Sequence, residues 1–276
     1  RSPSVRDDAS DTPVSLASAG AVAALISSDQ DVLVNRSTRP GQSLTWLSVR
    51  ERRIAFWRRS DTKLAELSAK IGQSMFQENR DCMASAVFFI AAKKTALLRN
   101  FAATDQSQQG KTFFQFLSKH DFSSERGRQA AEKNAFSLLR KCKYREASAF
   151  FLLAEPPFLK YAVETISTKL HDVDLAFMVA RLMESPERES WPEGRSGGGL
   201  LGIGGGYAAG PAPFMKESID KPFAEWHPQL GKETQTLLLD RILPVCTNDP
   251  AMTSTCLLWL DKKEEAFWFL TWSLTS

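Results

Sequence analysis

The stretch that decides the fold is YREASAFFLLAEPPFLKYAVETISTKLHDVDLAFMVARL, residues 144–182. Ala147, Phe150, Phe151 and Ala154 stand at i, i+3, i+4 and i+7. Leu159, Ala162, Val163, Ile166 and Leu170 continue at the same spacing, and Leu175, Met178, Val179 and Leu182 repeat it. Apolar positions at a 3.6-residue period place one apolar stripe along each of three successive helices. Upstream, Ala131, Ala135, Leu138 and Leu139 form another such face. No window alternates apolar and polar residues around an Asn-Gly or Asp-Gly turn, so the pattern predicts no hairpin.

Punctuation agrees with the stripes. Ser60 and Asp61 open the run to Gln77, Asp81 the run from Met83 to Lys94, and Ser123 and Ser124 the run to Arg140. These are N-cap residue types, and Asp249 before Pro250 is an N-cap with proline at the first helical position. Pro157 reads as a first-turn proline. About ten helices on short connections follow, more than a simple bundle needs. The predicted fold is therefore all-α, an α-solenoid-like array of antiparallel helix pairs.

The chain divides into four parts on this reading. Residues 1–40 are expected to be a flexible lead-in with one short helix over 21–26, and residues 41–184 the first part of the array. Residues 185–222 are expected to be a mobile insertion, because nine of the 15 glycines fall between Gly194 and Gly210 and little there offsets the entropy lost on ordering them. Residues 223–276 complete the array. A first residue of Arg1 rather than Met predicts a segment of a longer protein.

Composition narrows the function. Hydrophobic residues at 43% and charged residues at 24% are globular values and exclude a wholly disordered chain. A net charge of +3 lacks the clustered excess that phosphate neutralisation demands, so nucleic acid is not an expected partner. No stretch reaches the roughly 18–20 apolar residues of a bilayer span. Cys82, Cys142, Cys246 and Cys256 contain no C-x-x-C, and with only three histidines no metal site is expected. Few cysteines in a chain this long fit a reducing compartment, the cytosol by default.

Candidate chemistry is sparse. Gly197, Gly199 and Gly202 match G-x-G-x-x-G, yet no strand precedes them, so the match follows from glycine density and no cofactor is expected. His120-Asp121 and His171-Asp172 follow helical runs, where His near a C-terminus and Asp as the next N-cap are ordinary choices. No catalytic motif is visible, and the chain is expected not to be an enzyme. Arg50, Arg52, Arg53, Arg58 and Arg59 surround Phe56 and Trp57. Basic residues interleaved with aromatics can bind RNA, phosphoinositide or an acidic protein face, and of these the acidic protein partner is favoured; the plainer reading is a solvated helix face with Ile54 and Trp57 turned inward.

Three segments carry a resemblance. KNAFSLL (133–139), YREASAFFLLA (144–154) and DLAFMVARL (174–182), in this order and spacing, resemble the helical region of the DmX-like or rabconnectin alpha-subunit family, whose yeast member is the large subunit of the RAVE complex. ASAVFFIAAKK (84–94) resembles the family's helix ending in a basic pair, FWRRSD (56–61) with Leu64 resembles the aromatic segment just before that helix, and residues 249–266 are similar to its later helix pair. The likeness covers about residues 44–183 and resumes near 236–272. It implies a non-catalytic scaffold in a very long parent carrying β-propellers, which assembles the peripheral sector of the vacuolar-type proton-pumping ATPase onto its membrane sector. The implied partners are peripheral-sector and stator subunits and other subunits of the RAVE complex. The implied location is the cytosolic face of endosomal, lysosomal or vacuolar membranes. The alternative is a solenoid subunit of a trafficking coat or tether, because helix-pair arrays look alike.

Overall fold

The structure is a computed structural model that describes residues 13–37, 44–185 and 223–275. The described residues contain helices and no strand. Helix α1 spans Pro13–Ile26, α2 Gln30–Ser37, α3 Trp46–Glu51, α4 Ile54–Trp57, α5 Asp61–Asn79 and α6 Cys82–Ala91. Then come α7 (Thr95–Thr104), α8 (Gln108–Lys119), α9 (Glu125–Arg140) and α10 (Tyr144–Leu153). Helix α11 (Leu159–Glu164) runs on as a π turn over Thr165–Lys169, and α12 spans Val173–Glu184. After a 3-10 turn at Phe223–Glu225, α13 (Lys232–Leu237) runs on as a second π turn, Leu238–Ile242. Helices α14 (Pro250–Trp259) and α15 (Lys263–Thr275) follow.

The predicted stripes are the packed faces. Ala147, Phe150, Phe151 and Ala154 are buried, as are Leu175, Met178, Val179 and Leu182, and Ala162 and Ile166 are fully enclosed. The predicted caps form: Ser60 accepts from the Lys63 amide, Asp81 from Met83 and Ala84, Ser124 from Gly127, and Asp249 from Met252, with Pro250 in the first turn. Each satisfies an amide that the helix start leaves without an intrahelical acceptor. Pro157 does not open a helix: it lies in the connection after α10, and α11 starts at Leu159 with Phe158 as its N-cap.

Neighbours in sequence pack as pairs: α5 on α6, α6 on α7, α7 on α8, α9 on α10, α11 on α12 and α14 on α15. The result is an all-α array of helix pairs. Second-order contacts thicken it: α10 also meets α6, and α12 touches α4, α5 and α6. The apolar content of α6 and α12 explains their central place, since nearly every residue of each is buried.

The expected lead-in is where the structure departs most from the sequence reading. Helices α1 and α2 occupy it, and α1 packs on α4 and α14 with Ala21 and Leu25 buried. The physical reason is Val22, Ala24 and Leu25: apolar surface of this density is better placed against α14 than in water. The expected glycine-rich insertion lies outside the described residues apart from Ser185.

Candidate functional site

The arginine cluster was the sequence-level candidate for a partner contact, and its placement begins with the segment that carries it. Thr45 caps α3 by accepting from the Ser48 amide at 3.2 Å, which turns Trp46 and Val49 inward. Arg53 then takes a left-handed conformation, φ 53°, and the chain enters α4, whose four residues are all buried. A segment inserted this deeply carries its flanking arginines with it. Arg58 and Arg59 are 4% and 7% exposed, so neither belongs to a solvated face or an open contact. Arg58 pairs with Asp31 of α2, which also takes Lys63. Arg59 donates to the Leu25 carbonyl at 2.9 Å. Arg53 pairs with Asp174, and Arg50 lies 3.9 Å from Asp172. The expected cluster is thus divided: Arg53, Arg58 and Arg59 are used internally, while Arg50 and Arg52 keep exposed side chains.

The residues that receive this segment were not singled out in the sequence. Gln30, fully buried, donates to the Ala24 carbonyl at 3.0 Å and the Trp57 carbonyl at 2.5 Å, and accepts from the Arg59 amide at 2.9 Å. Arg181 of α12 donates to the carbonyls of Ala55 (2.6 Å) and Arg58 (2.9 Å) and to the Asp61 carboxylate (2.6 Å). Its guanidinium lies 3.9 Å from the centre of the Trp259 ring. The Trp259 indole in turn donates to the Phe56 carbonyl at 2.5 Å. The available signal was one arginine inside the otherwise apolar run LAFMVARLM: a charge at a buried helical position must find acceptors.

The two aspartates at the start of α12 differ. Asp172 caps the helix as the sequence predicted, accepting from Leu175 at 3.1 Å, and also receives the Trp46 indole at 2.7 Å. Asp174 lies within the core. Burial pushes its carboxyl up to about 6, against the pull of the Arg53 guanidinium, with the Asp172 charge adding to the rise. Asp31 shows the reverse balance. Burial would raise it, but hydrogen bonds from Lys63 and Arg58 outweigh that and hold it below the usual carboxylate range.

The outer surface offers a second candidate. The two π turns and the helices they extend face each other across an open groove of about 380 Å³, lined by Lys160, Glu164, Glu233, Asp240 and Arg241 with Val163 and Leu237 at its base. Beside it Tyr161, exposed on α11, stacks edge-on against the exposed Phe136 of α9, ring centres 5.9 Å apart. The far wall is fixed by Glu184 of α12, whose carboxylate accepts from the Glu233 and Thr234 amides at 2.9 and 2.8 Å. One helix's last turn therefore caps another's first, a contact that local sequence does not announce. Among the described residues no group of His, Cys, Asp and Glu is arranged to hold a metal ion. No helix among them is long and apolar enough to cross a membrane.

Comparison with known proteins gives this arrangement its relatives. The family described as "RAVE protein 1 C terminal" matches residues 5–192, which takes in α1 through α12 and leaves the later segment, 236–272, outside the match. DmX-like protein 1 of Mus musculus is 38% identical over 141 residues, 51% of this chain and 4% of that protein. Regulator of V-ATPase in vacuolar membrane protein 1 of Saccharomyces cerevisiae is 35% identical over 165 residues, 58% of this chain and 12% of that protein. The Schizosaccharomyces pombe protein of the same name is 29% identical over 166 residues. The chain spans between about one twenty-fifth and one eighth of the length of these relatives. The match extends across the part that carries α1 through α12 with their caps and buried arginines, and the chain belongs to the RAVE protein 1 C-terminal family.

Proposed function

We propose that this helical array is a non-catalytic scaffold region through which a much longer family member regulates the vacuolar-type proton-pumping ATPase. On this reading it holds subunits of the pump's peripheral sector and stator, together with other RAVE subunits, at the cytosolic face of acidic compartments. It thereby promotes joining of the peripheral sector to the membrane sector. The observation that carries the reading is the family match over residues 5–192, whose yeast relatives are named as V-ATPase regulators.

The geometry supports it in one respect. The apolar stripes are consumed in packing helix on helix, which leaves the outer faces to partners. The proposed contacts are Arg50 and Arg52 at the exposed end of α3, and the aromatic face of Tyr161 and Phe136 beside the groove. Arginine and aromatic side chains are the types that anchor protein interfaces.

The test is capture of pump subunits by the full-length parent, with and without residues 44–272. Loss of peripheral-sector subunits and less acidic compartments is the expected result. Normal pump assembly after the deletion overturns the reading, and so does capture of coat or tether subunits in place of pump subunits. A parallel Arg52→Glu variant should weaken capture more at low salt than at physiological ionic strength, where exposed charges are screened over about 8 Å.

A further inference from the structure

The positive charge of the chain is gathered on one hairpin. Residues 126–145, from α9 into α10, hold seven arginines and lysines and one carboxylate, Glu132. The whole chain is only +3, so the sequence outside this hairpin is net negative. Helix α9 buries Gly127, Ala131 and Ala135 on one side. On the opposite side Arg126, Lys133 and Arg140 are exposed. They stand seven residues apart, close to two helical turns, and so form a straight row about 21 Å long. Arg128, off this row, pairs with Glu125, whereas the three residues of the row form no ion pair among the described residues.

An aromatic anchor flanks the row. Phe136 lies one turn from both Lys133 and Arg140, close enough on the helix surface to share a face with them. Its ring is 39% exposed although it packs against Phe151 at 5.3 Å and Tyr161 at 5.9 Å. Tyr161, 45% exposed, carries the aromatic surface onto α11. Phe158 follows it at 6.5 Å, with the Arg128 guanidinium over its ring. The nearby carboxylates stand at the margins: Glu132 is half-buried, and Glu164 lines the groove.

A row of unpaired cations beside an exposed aromatic pair selects its partner by charge and shape. A helix laid along α9 with a carboxylate at every seventh residue meets Arg126, Lys133 and Arg140 together. An aliphatic side chain between those carboxylates then rests on Phe136 and Tyr161. Aromatic and arginine side chains anchor interfaces, and complementary charge sets register. A broader polyanion, such as a lipid surface or a nucleic acid, also meets the field of the net-negative remainder of the chain, which opposes it. We propose that this face of α9 and α11 docks an acidic amphipathic helix of a partner protein. The assignment deepens the contact already placed at Phe136 and Tyr161, and it rests on the scaffold reading for the partner's being a protein.

Fluorescence anisotropy with the intact chain and labelled helical peptides tests it. The probe is an alanine-based peptide of about 22 residues, with glutamate at every seventh position and a leucine beside the central glutamate. In one control each glutamate is glutamine. In the other the glutamates stand five residues apart, which keeps the charge and breaks the line. The probe should bind about tenfold more tightly than either control, most clearly at low salt. Lys133→Glu should weaken it about tenfold, whereas Lys70→Glu, an equal charge change on the exposed side of α5, should leave it unchanged. No binding, equal binding of probe and controls, or equal loss in the two variants overturns the proposal. So does binding of phosphatidylserine vesicles or duplex RNA in place of the probe. Probe failure, with pump-subunit capture still lost on deleting residues 44–272 from the parent, removes this surface and leaves the scaffold reading. Normal pump assembly after that deletion removes the scaffold reading, while probe binding still reports the surface.

Discussion

Arg181 joins three parts of the chain with one planar group. Its donors meet carbonyls at the end of α4 and the Asp61 carboxylate at the start of α5, and its face covers Trp259 of α14. Lysine would supply the charge without the fork and could not reach these acceptors together. Asp174 is the counterpart whose balance depends on pH. Its folded value near 6 stands above the ordinary 3.8, so the folded state holds this proton more tightly than the unfolded chain does. The stability it contributes is fully present below about pH 4 and is lost as pH rises through about 6. Denaturant titrations should therefore show a component, on the order of 1–3 kcal/mol, that declines from pH 4 to 6. It should vanish in Asp174→Asn, and an unchanged slope in that variant would place the titration elsewhere. Asp31, held low, acts in the opposite sense in a separate window: its contribution is present above 3.8 and is lost as pH falls below it.

At the scale of elements, helix starts were far more legible than helix ends. Ser60, Asp81, Ser124, Asp172 and Asp249 all cap as their residue types predict, because an N-cap acts through its own side chain. Several helices end in left-handed residues that are not glycine: Arg80, Lys93, Cys142, His171 and Asp261. After Lys93, Cys142 and Asp261 the next amide reaches back five residues, as Lys94 does to Phe89, Lys143 to Leu138 and Lys262 to Leu257. These are Schellman turns without the glycine that usually marks them, so the sequence carried no such flag. The same two-residue turns let the following helix begin at once, which produces the pairs. Cys142 is exposed, and Cys142→Gly should raise stability by about 0.5–1 kcal/mol in chemical denaturation, by removing the Cβ penalty of the left-handed conformation. The arginines at 50–59 were legible as a cluster but not as ligands of Gln30, Asp31 and Asp174. Those partners lie on other helices, brought close only by the packing of α4.

At the scale of the molecule, the array is drawn together by its first and late helices. Helix α1 lies on α14, and Trp259 reaches Phe56 across 203 residues of sequence. Leu25, wholly enclosed, is the sharpest probe of that closure. Leu25→Ala should cost about 2–5 kcal/mol in equilibrium unfolding, the range for emptying a packed leucine site. A flexible lead-in would show no change. The closure also orders events in time. A ribosome adds roughly 5–20 residues each second, so the Phe56 carbonyl waits about 10–40 s for the indole that will cover it. Through that interval α1 and α4 display a sticky flank to whatever the nascent chain meets, and the late arrival of α14 makes translation speed a determinant of yield.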